Sequence, residues 1–196
     1  GIGPGMASKS GTRAFARRPL PLAKAFTYIE PGPVVLLATQ DRGRHNLMAL
    51  SWTMVLDFRP RFAIATGPWN HSFRALRKHR ECVIAVPTVD LLDTVVGIGT
   101  CSGADIDKFA RFGLTAAPAK VVGAPLVAEC LANIECRVVE FIPRHDLVVL
   151  EAVAAHLSTG RKETRLLHAV GDGRFVADGR RYDRRRQMAS KLPDGV

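Results

Sequence analysis

A chain of 196 residues, 47% hydrophobic and 23% charged, is long enough for one domain to bury about 70% of its unfolded surface. It contains no apolar run near the roughly 20 residues that a membrane-spanning helix needs. The formal net charge of +10 sits at the ends: residues 1–24 carry five basic side chains and no acid, residues 161–196 carry ten basic and five acidic, and the stretch between carries thirteen of each. Few aromatics stand among the terminal arginines to stack bases, so no nucleic-acid partner is expected and solvated tails are the plainer reading.

In chain order, Gly1–Gly5 ahead of Met6 reads as a cloning remnant before the natural start. No apolar core of a signal peptide follows, so a cytoplasmic protein with no membrane partner is expected. Residues 1–24 mix Ser, Lys, Arg, Gly and Pro without periodicity and are expected to form a flexible basic arm. The folded domain is expected over 25–160. "PVVLLAT" (33–39) reads as a strand, and "DRGRHN", with Gly43 and Asn46, as a hairpin connection into "NLMALSWTMVL" (46–56). That second strand opens with an amide and interrupts itself with Ser51, Trp52 and Thr53. Hydroxyls buried there without partners would cost roughly 1–3 kcal/mol each. "RFAIATG", after Pro60, is a third strand.

"NHSFRALRKHR" (70–80) places Phe73 and Leu76 at helical spacing, with Asn70 or Ser72 as N-cap. "CVIAVP" (82–87) is a fourth strand, ended by its proline. "DLLDTVVGIGT" reads as a short helix, interrupted by Ser102, Gly103 and Asp105 before another turn in "DKFARFG". Two long strands follow, 133–142 and 147–156, separated by "PRHD". Residues 161–196 form a basic extension expected to pack on or near the domain. The count of elements predicts a mainly β protein, a closed or sandwiched antiparallel architecture with a few inserted helices.

No Walker-type phosphate loop, GxSxG or HExxH is present, and the glycines of "VGIGTCSG" lack the spacing of a dinucleotide fingerprint. Cys82, Cys101, Cys130 and Cys136 form no CxxC pair, which favours reduced thiols over a metal or a disulfide framework. What remains is a set of small polar groups at strand ends and helix starts. Asn46, Ser51 and Thr53 share a strand, Ser72 opens a helix, and a Gly-containing turn leads to Lys108. A hydroxyl at a helix start with a nearby lysine suits a phosphate, and Trp52 and Phe109 could flank a planar ring. Each has a plainer reading: Ser72 as a cap, Lys108 as partner to Asp105, Trp52 as core filler.

Six blocks in order, "PGPVVLLAT", "NLMALSW", "HSFRAL" before "CVIAVPT", "CSGADIDKF" with "FGLT", "APLVAECLANIEC" and "HDLVVLEAV", give residues 25–151 a resemblance to a known family. The chain resembles the flavin reductase-like FMN-binding split-barrel proteins, which include flavoredoxin and the reductase components of two-component monooxygenases. The resemblance implies a homodimer of six-stranded antiparallel split barrels, each with one FMN near the dimer interface. It implies that Asn46, Leu47, Met48 and Ala49 run beside the isoalloxazine, that Ser51 and Trp52 continue that wall, and that Ser72 and Lys108 hold the phosphate. Asn70 stands where relatives often have Arg, Ala104 replaces the Arg of "SGRD", and Leu150 replaces a glycine; Arg74 could supply the missing charge. The implied activity is an NAD(P)H-dependent flavin reductase with NADH or NADPH as co-substrate, His145 as a contact on the nicotinamide side, and a monooxygenase component or redox protein as acceptor. The alternatives are a flavoredoxin-like electron carrier fed by a protein partner and a non-enzymatic module that binds polyanions through its basic ends.

Overall fold

The structure, a computed structural model, describes residues 16–196. The main sheet is built from β1 (Arg17–Pro19), β2 (Val35–Asp41), β3 (Arg44–Leu50), β4 (Thr53–Asp57), β5 (Arg61–Ala65) and β6 (Glu81–Val86), and from the long pair β9 (Ala132–Ile142) and β10 (Leu147–Ser158). The two-residue strands β7 (Ala116–Ala117) and β8 (Leu126–Val127) pair with each other, as do β11 (Leu167–Ala169) and β12 (Phe175–Ala177). Helices α1 (Leu22–Ala25), α2 (Ser72–His79), α3 (Leu92–Gly99) and α4 (Lys108–Arg111) lie in the connections.

Local chemistry accounts for the turns. β2 and β3 reverse through Arg42 and Gly43, whose φ values of 52° and 73° are the pair of positive angles that a two-residue hairpin requires. α2 stops at Arg80, which turns left-handed and donates its N–H to the Leu76 carbonyl at 2.9 Å.

The strands pair antiparallel in the order β3-β2-β6-β9-β10-β5-β4, with β1 added to the far half of β10. β3 and β4 therefore occupy opposite ends of the sheet, yet only Ser51 and Trp52 join them. Three Cα steps reach at most about 11 Å, so the sheet must curl until its ends meet. The barrel closes through the chain and not through a β3–β4 ladder, which is the split. Two hydrophobic clusters follow from the strand alternation. Val35 and Leu37 of β2 face the barrel interior with Phe62, Ile84 and Ile134. Leu36 and Ala38 face the outer layer with Leu47, Val83, Val95 and Ile98. The central strands are thus buried on both faces, which is why they read as unbroken apolar runs.

The antiparallel, mainly β split barrel is the expected class, but the sheet has eight strands against the six expected. The short β1 and the second half of the 46–56 stretch each stand as strands of their own. Asn46 and Thr53 consequently lie on different strands, and Ser51 and Trp52 form the joint between them. The arm expected over 1–24 lies outside the described residues up to 15. From Arg17 the backbone is held on β10, and Leu20 donates to the Ala155 carbonyl at 2.8 Å, because β10 outruns β5 and leaves an open edge to be paired. The 161–196 segment touches the barrel at its start. Val34 donates to the Leu167 carbonyl at 2.7 Å, and the Arg161 guanidinium bonds Thr88 Oγ1 at 2.6 Å and Asp90 at 2.8 Å. Among the described residues no helix is long and apolar enough to cross a membrane, and no group of three or more His, Cys, Asp or Glu is placed to hold a metal ion.

Candidate functional site

Two clefts open side by side along β3 and share Asn46, His71, Ser72 and Gly103. The smaller, about 210 Å³, is walled by Met48 and Ala49 of β3, by Trp69 and Asn70 ahead of α2, and by the 98–103 turn and Lys108. The larger, about 560 Å³, runs from the shared residues past the β2–β3 hairpin. Among the described residues β3 pairs with β2 alone, so the backbone groups along its other edge have no strand partner there. A sheet edge in this condition offers donors and acceptors to a ligand.

The Asn46 side chain donates Nδ2–H to Ser72 Oγ at 2.9 Å. Ser72 is the first residue of α2 and is buried, and its hydroxyl makes no capping bond. Its own proton is left for a group in the cleft. Asn70, the other candidate cap, instead donates to Thr66 Oγ1 at 3.0 Å. Gly103 lies against the Asn46 amide so closely that a Cβ there would fall 1.9 Å from Oδ1. Only glycine permits this approach, which fixes the amide from one side. Similarly, a Cβ on Gly67 would meet the Trp69 ring at 2.3 Å, so glycine lets that indole lie back along the cleft wall.

Lys108 is 5% exposed, and its Nζ donates to the Ile98 carbonyl at 2.9 Å. An ammonium has three donors, and this bond uses one. Among the described residues no carboxylate pairs with it, so the reading of Lys108 as a partner of Asp105 does not hold. Burial pushes its pKa down, an effect that the nearby Cys101 partly opposes. A buried cation without a counter-charge is unfavourable as it stands and is relieved by an anion arriving in the cleft.

The sequence-derived residues separate into two groups. Asn46, Met48, Ala49, Ser72 and Lys108 are brought together around the smaller cleft. Leu47 is fully buried and packs outward with Val95 and Ile98, since side chains alternate along β3; only its backbone can face a ligand. Ser51 and Trp52 line neither cleft, and Trp52 is 69% exposed, so it does not fill the core. Phe109 is buried on the floor of the larger cleft. His145 lies exposed in the β9–β10 connection, away from both. Sequence reasoning passed over Trp69, His71 and Gly103; the adjacent Gly67 was the one local sign of the first, and the others needed the three-dimensional contact.

Residues 27–176 match the family model described as a flavin reductase like domain. The chain belongs to that family. Among relatives of this flavin reductase-like protein, an uncharacterised protein of Escherichia coli K12, YddH, is 31% identical over 180 residues, covering 83% of this chain and 95% of YddH. An uncharacterised protein of Archaeoglobus fulgidus is 34% identical over 116 residues, 59% of this chain and 66% of that one. Among solved structures, an FMN-binding domain of a flavin reductases-like enzyme from Shewanella baltica superposes with a TM-score of 0.79 at 26% identity, covering 86% of this chain and 97% of that one. Flavoredoxin of Desulfovibrio vulgaris gives a TM-score of 0.72 at 24% identity, covering 91% and 96%, and is a likeness of fold. The family is one of FMN-binding proteins, and the donor set fits a phosphate-bearing ligand: a buried lysine with spare donors, a buried serine hydroxyl held by an amide, and an open strand edge.

Proposed function

We propose that this flavin reductase-like protein binds FMN in the smaller cleft and acts as an NAD(P)H:flavin oxidoreductase. The observation that carries the reading is Lys108, a buried ammonium with unused donors and no acidic partner among the described residues, lining the cleft with Ser72 and Asn46. When bound, FMN supplies the redox chemistry, taking a hydride from a nicotinamide and giving up electrons to an acceptor. The protein's task is to hold and orient. Lys108 meets the phosphate by charge, and the Ser72 hydroxyl donates to a phosphate oxygen while it accepts from Asn46. The free backbone edge of Asn46, Leu47, Met48 and Ala49 serves the polar rim of the ring, and Trp69 lies along the wall. No side chain needs to take or give a proton. Asn70 makes its bond to Thr66 and supplies no charge, so phosphate recognition rests on Lys108 and on the basic residues of the neighbouring cleft.

A second copy of the chain completes this reading. β4 is the last strand of the sheet, and Trp52, Met54, Leu56 and Phe58 along it are between 45% and 69% exposed. An open, apolar strand edge of this kind calls for a cover. A homodimer formed there would place Trp52 and Ser51 at the interface. The electron acceptor is a monooxygenase component or another redox protein.

The test is an absorbance spectrum of the purified protein after FMN loading and desalting, followed by anaerobic NADH and then NADPH. Retained visible bands that bleach with either nucleotide support the reductase reading. Retained bands that resist both replace it with electron transfer from a protein partner. Loss of all flavin on desalting, together with no reduction of added FMN, overturns the site.

A further inference from the structure

Past Asp178 the chain leaves the hydrogen bonds of the barrel. Asp178 itself donates its N–H to the Leu166 carbonyl at 3.0 Å. Among the described residues, the backbone bonds made by 179–196 beyond that point stay inside the segment: Met188 donates to Arg184 at 3.0 Å, Lys191 to Met188 at 2.8 Å and Val196 to Pro193 at 3.4 Å. All its residues are exposed except the partly buried Pro193. The segment therefore adds little apolar burial to the fold, and its side chains are open to another molecule.

Its composition is that of a contact surface. It carries six basic side chains against two acidic ones, and five of the six are arginines. Lysine suffices for solubility, whereas guanidinium groups pair with carboxylates through two parallel bonds. Arg181 reaches Asp178 at 3.6 Å and Arg185 reaches Asp183 at 2.7 Å; Arg180, Arg184, Arg186 and Lys191 make no ion pair among the described residues. The Arg180 guanidinium lies over the Tyr182 ring, 5.7 Å from its centroid, and Tyr182 and Met188 are 70% and 50% exposed. Arg, Tyr and Met are the side chains that protein interfaces concentrate, and the stacking holds the first two in one arrangement before a partner arrives.

We propose that residues 179–196 form a docking surface for a protein that presents acidic side chains around an apolar centre. The proposal stands on this segment alone and does not depend on the flavin reading. Two other occupants fit the charge and fail on the rest. A phosphate backbone would meet Asp183 and Asp194 as repulsive groups and would find a single aromatic ring to stack on. A second copy of the chain carries the same net charge of +10, which repels the segment. A carboxylate-rich protein meets the four unpaired cations, and Tyr182, Met188 and Leu192 meet its apolar centre.

The experiment follows the fluorescence anisotropy of labelled probes with the full-length chain at about 0.15 M salt. The probes are a short peptide of Glu, Asp, Leu and Phe, an all-Glu peptide of equal charge, and a DNA duplex. It is repeated on Arg180→Gln/Arg184→Gln/Arg186→Gln and on Tyr182→Ala/Met188→Ala, with thermal midpoints to establish that each variant is folded and sedimentation velocity to read its association state. The acidic–apolar peptide is expected to bind at least about tenfold more tightly than the all-Glu peptide. The arginine variant is expected to lose at least about tenfold on both, and Tyr182→Ala/Met188→Ala to lose only the difference between them. If the two peptides bind alike, or if Tyr182→Ala/Met188→Ala keeps the wild-type preference, the segment is a general cation and the proposal is overturned. A duplex that binds more tightly than either peptide, through the same arginines, assigns the segment to nucleic acid and overturns it too. Arginine changes that alter the association state and not the peptide affinities assign it to a second copy, with the same result. If neither peptide binds, there is no docking surface.

Discussion

Lys108 and Glu135 are both buried ionisable groups, but only Glu135 has its partners in place. Its carboxylate accepts the N–H groups of Lys120, Val121 and Val122 at 2.9, 2.6 and 3.0 Å and meets His156 Nε2 at 2.5 Å. Burial alone would push its pKa up; these bonds outweigh it and hold the pKa below the ordinary carboxylate value. The stability it contributes is fully present above the unfolded pKa of about 4.3 and is lost as pH falls through the lower folded value. Glu135→Gln should lower stability by roughly 2–4 kcal/mol near neutrality and flatten that acid limb, as read by urea unfolding at a series of pH values. Lys108 has the same sign in pH from the opposite cause, since burial disfavours its charged form where hydrogen bonds favour that of Glu135. The depressed pKa of Lys108 means that the flavin-free protein gains stability as pH rises from the folded value towards about 10.4. Lys108→Met should abolish that gain without harming the fold. It should also weaken FMN by roughly 10–100-fold while leaving riboflavin, which lacks the phosphate, nearly unchanged. Equal FMN affinity in the variant would remove Lys108 from the site. These residues were partly legible in the sequence: a lysine after a Gly-containing turn and a serine at a helix start have a recognisable chemistry. The Glu135 network was not, because its acceptors and donors lie 13 to 21 residues apart in the chain.

Among the elements, the strands and α2 could be read from periodicity because burial imposes it directly. β2, β6, β9 and β10 fell close to their expected bounds, and α2 spans 72–79 within the predicted 70–80. The 46–56 stretch misled because apolar alternation continues across Ser51 and Trp52 while the strand changes its place in the sheet, and composition carries no mark of that exchange. β1 was hidden for a related reason: Arg17–Pro19 is exposed, so no burial pattern announces it. The α3–α4 connection has its own test. Gly103→Ala would put a methyl group 1.9 Å from Asn46 Oδ1, so the loop or the amide must move. We expect FMN affinity to fall at least about tenfold with a melting point shifted by only a few degrees, since the loop is at the surface and the barrel core is untouched. A variant that retains wild-type affinity would mean that the Asn46–Ser72 contact does not shape the site.

At the scale of the whole molecule, the described residues build the barrel and its outer layer from one chain and leave the apolar residues of β4 exposed. If a second copy covers them, Met54→Lys and Leu56→Lys should shift the protein from dimer to monomer in sedimentation velocity, with flavin binding weakened as a consequence. A wild-type monomer at micromolar concentration would discard the interface. The basic excess of residues 161–196 lies largely beyond Asp178, where nearly all of the chain is exposed, and removal of that part should leave the barrel folded.

The joint at Ser51 and Trp52 also has a bearing on how the gene can change. Elsewhere in the barrel an added residue lengthens a loop and little more; the Arg42–Gly43 hairpin could absorb several. Between β3 and β4 the same insertion would set the circumference, because the tether there is what draws one rim of the sheet to the other. Length variation should therefore be purged at this one point and tolerated at the hairpins, so that the joint acts as the gauge by which the whole cylinder is measured.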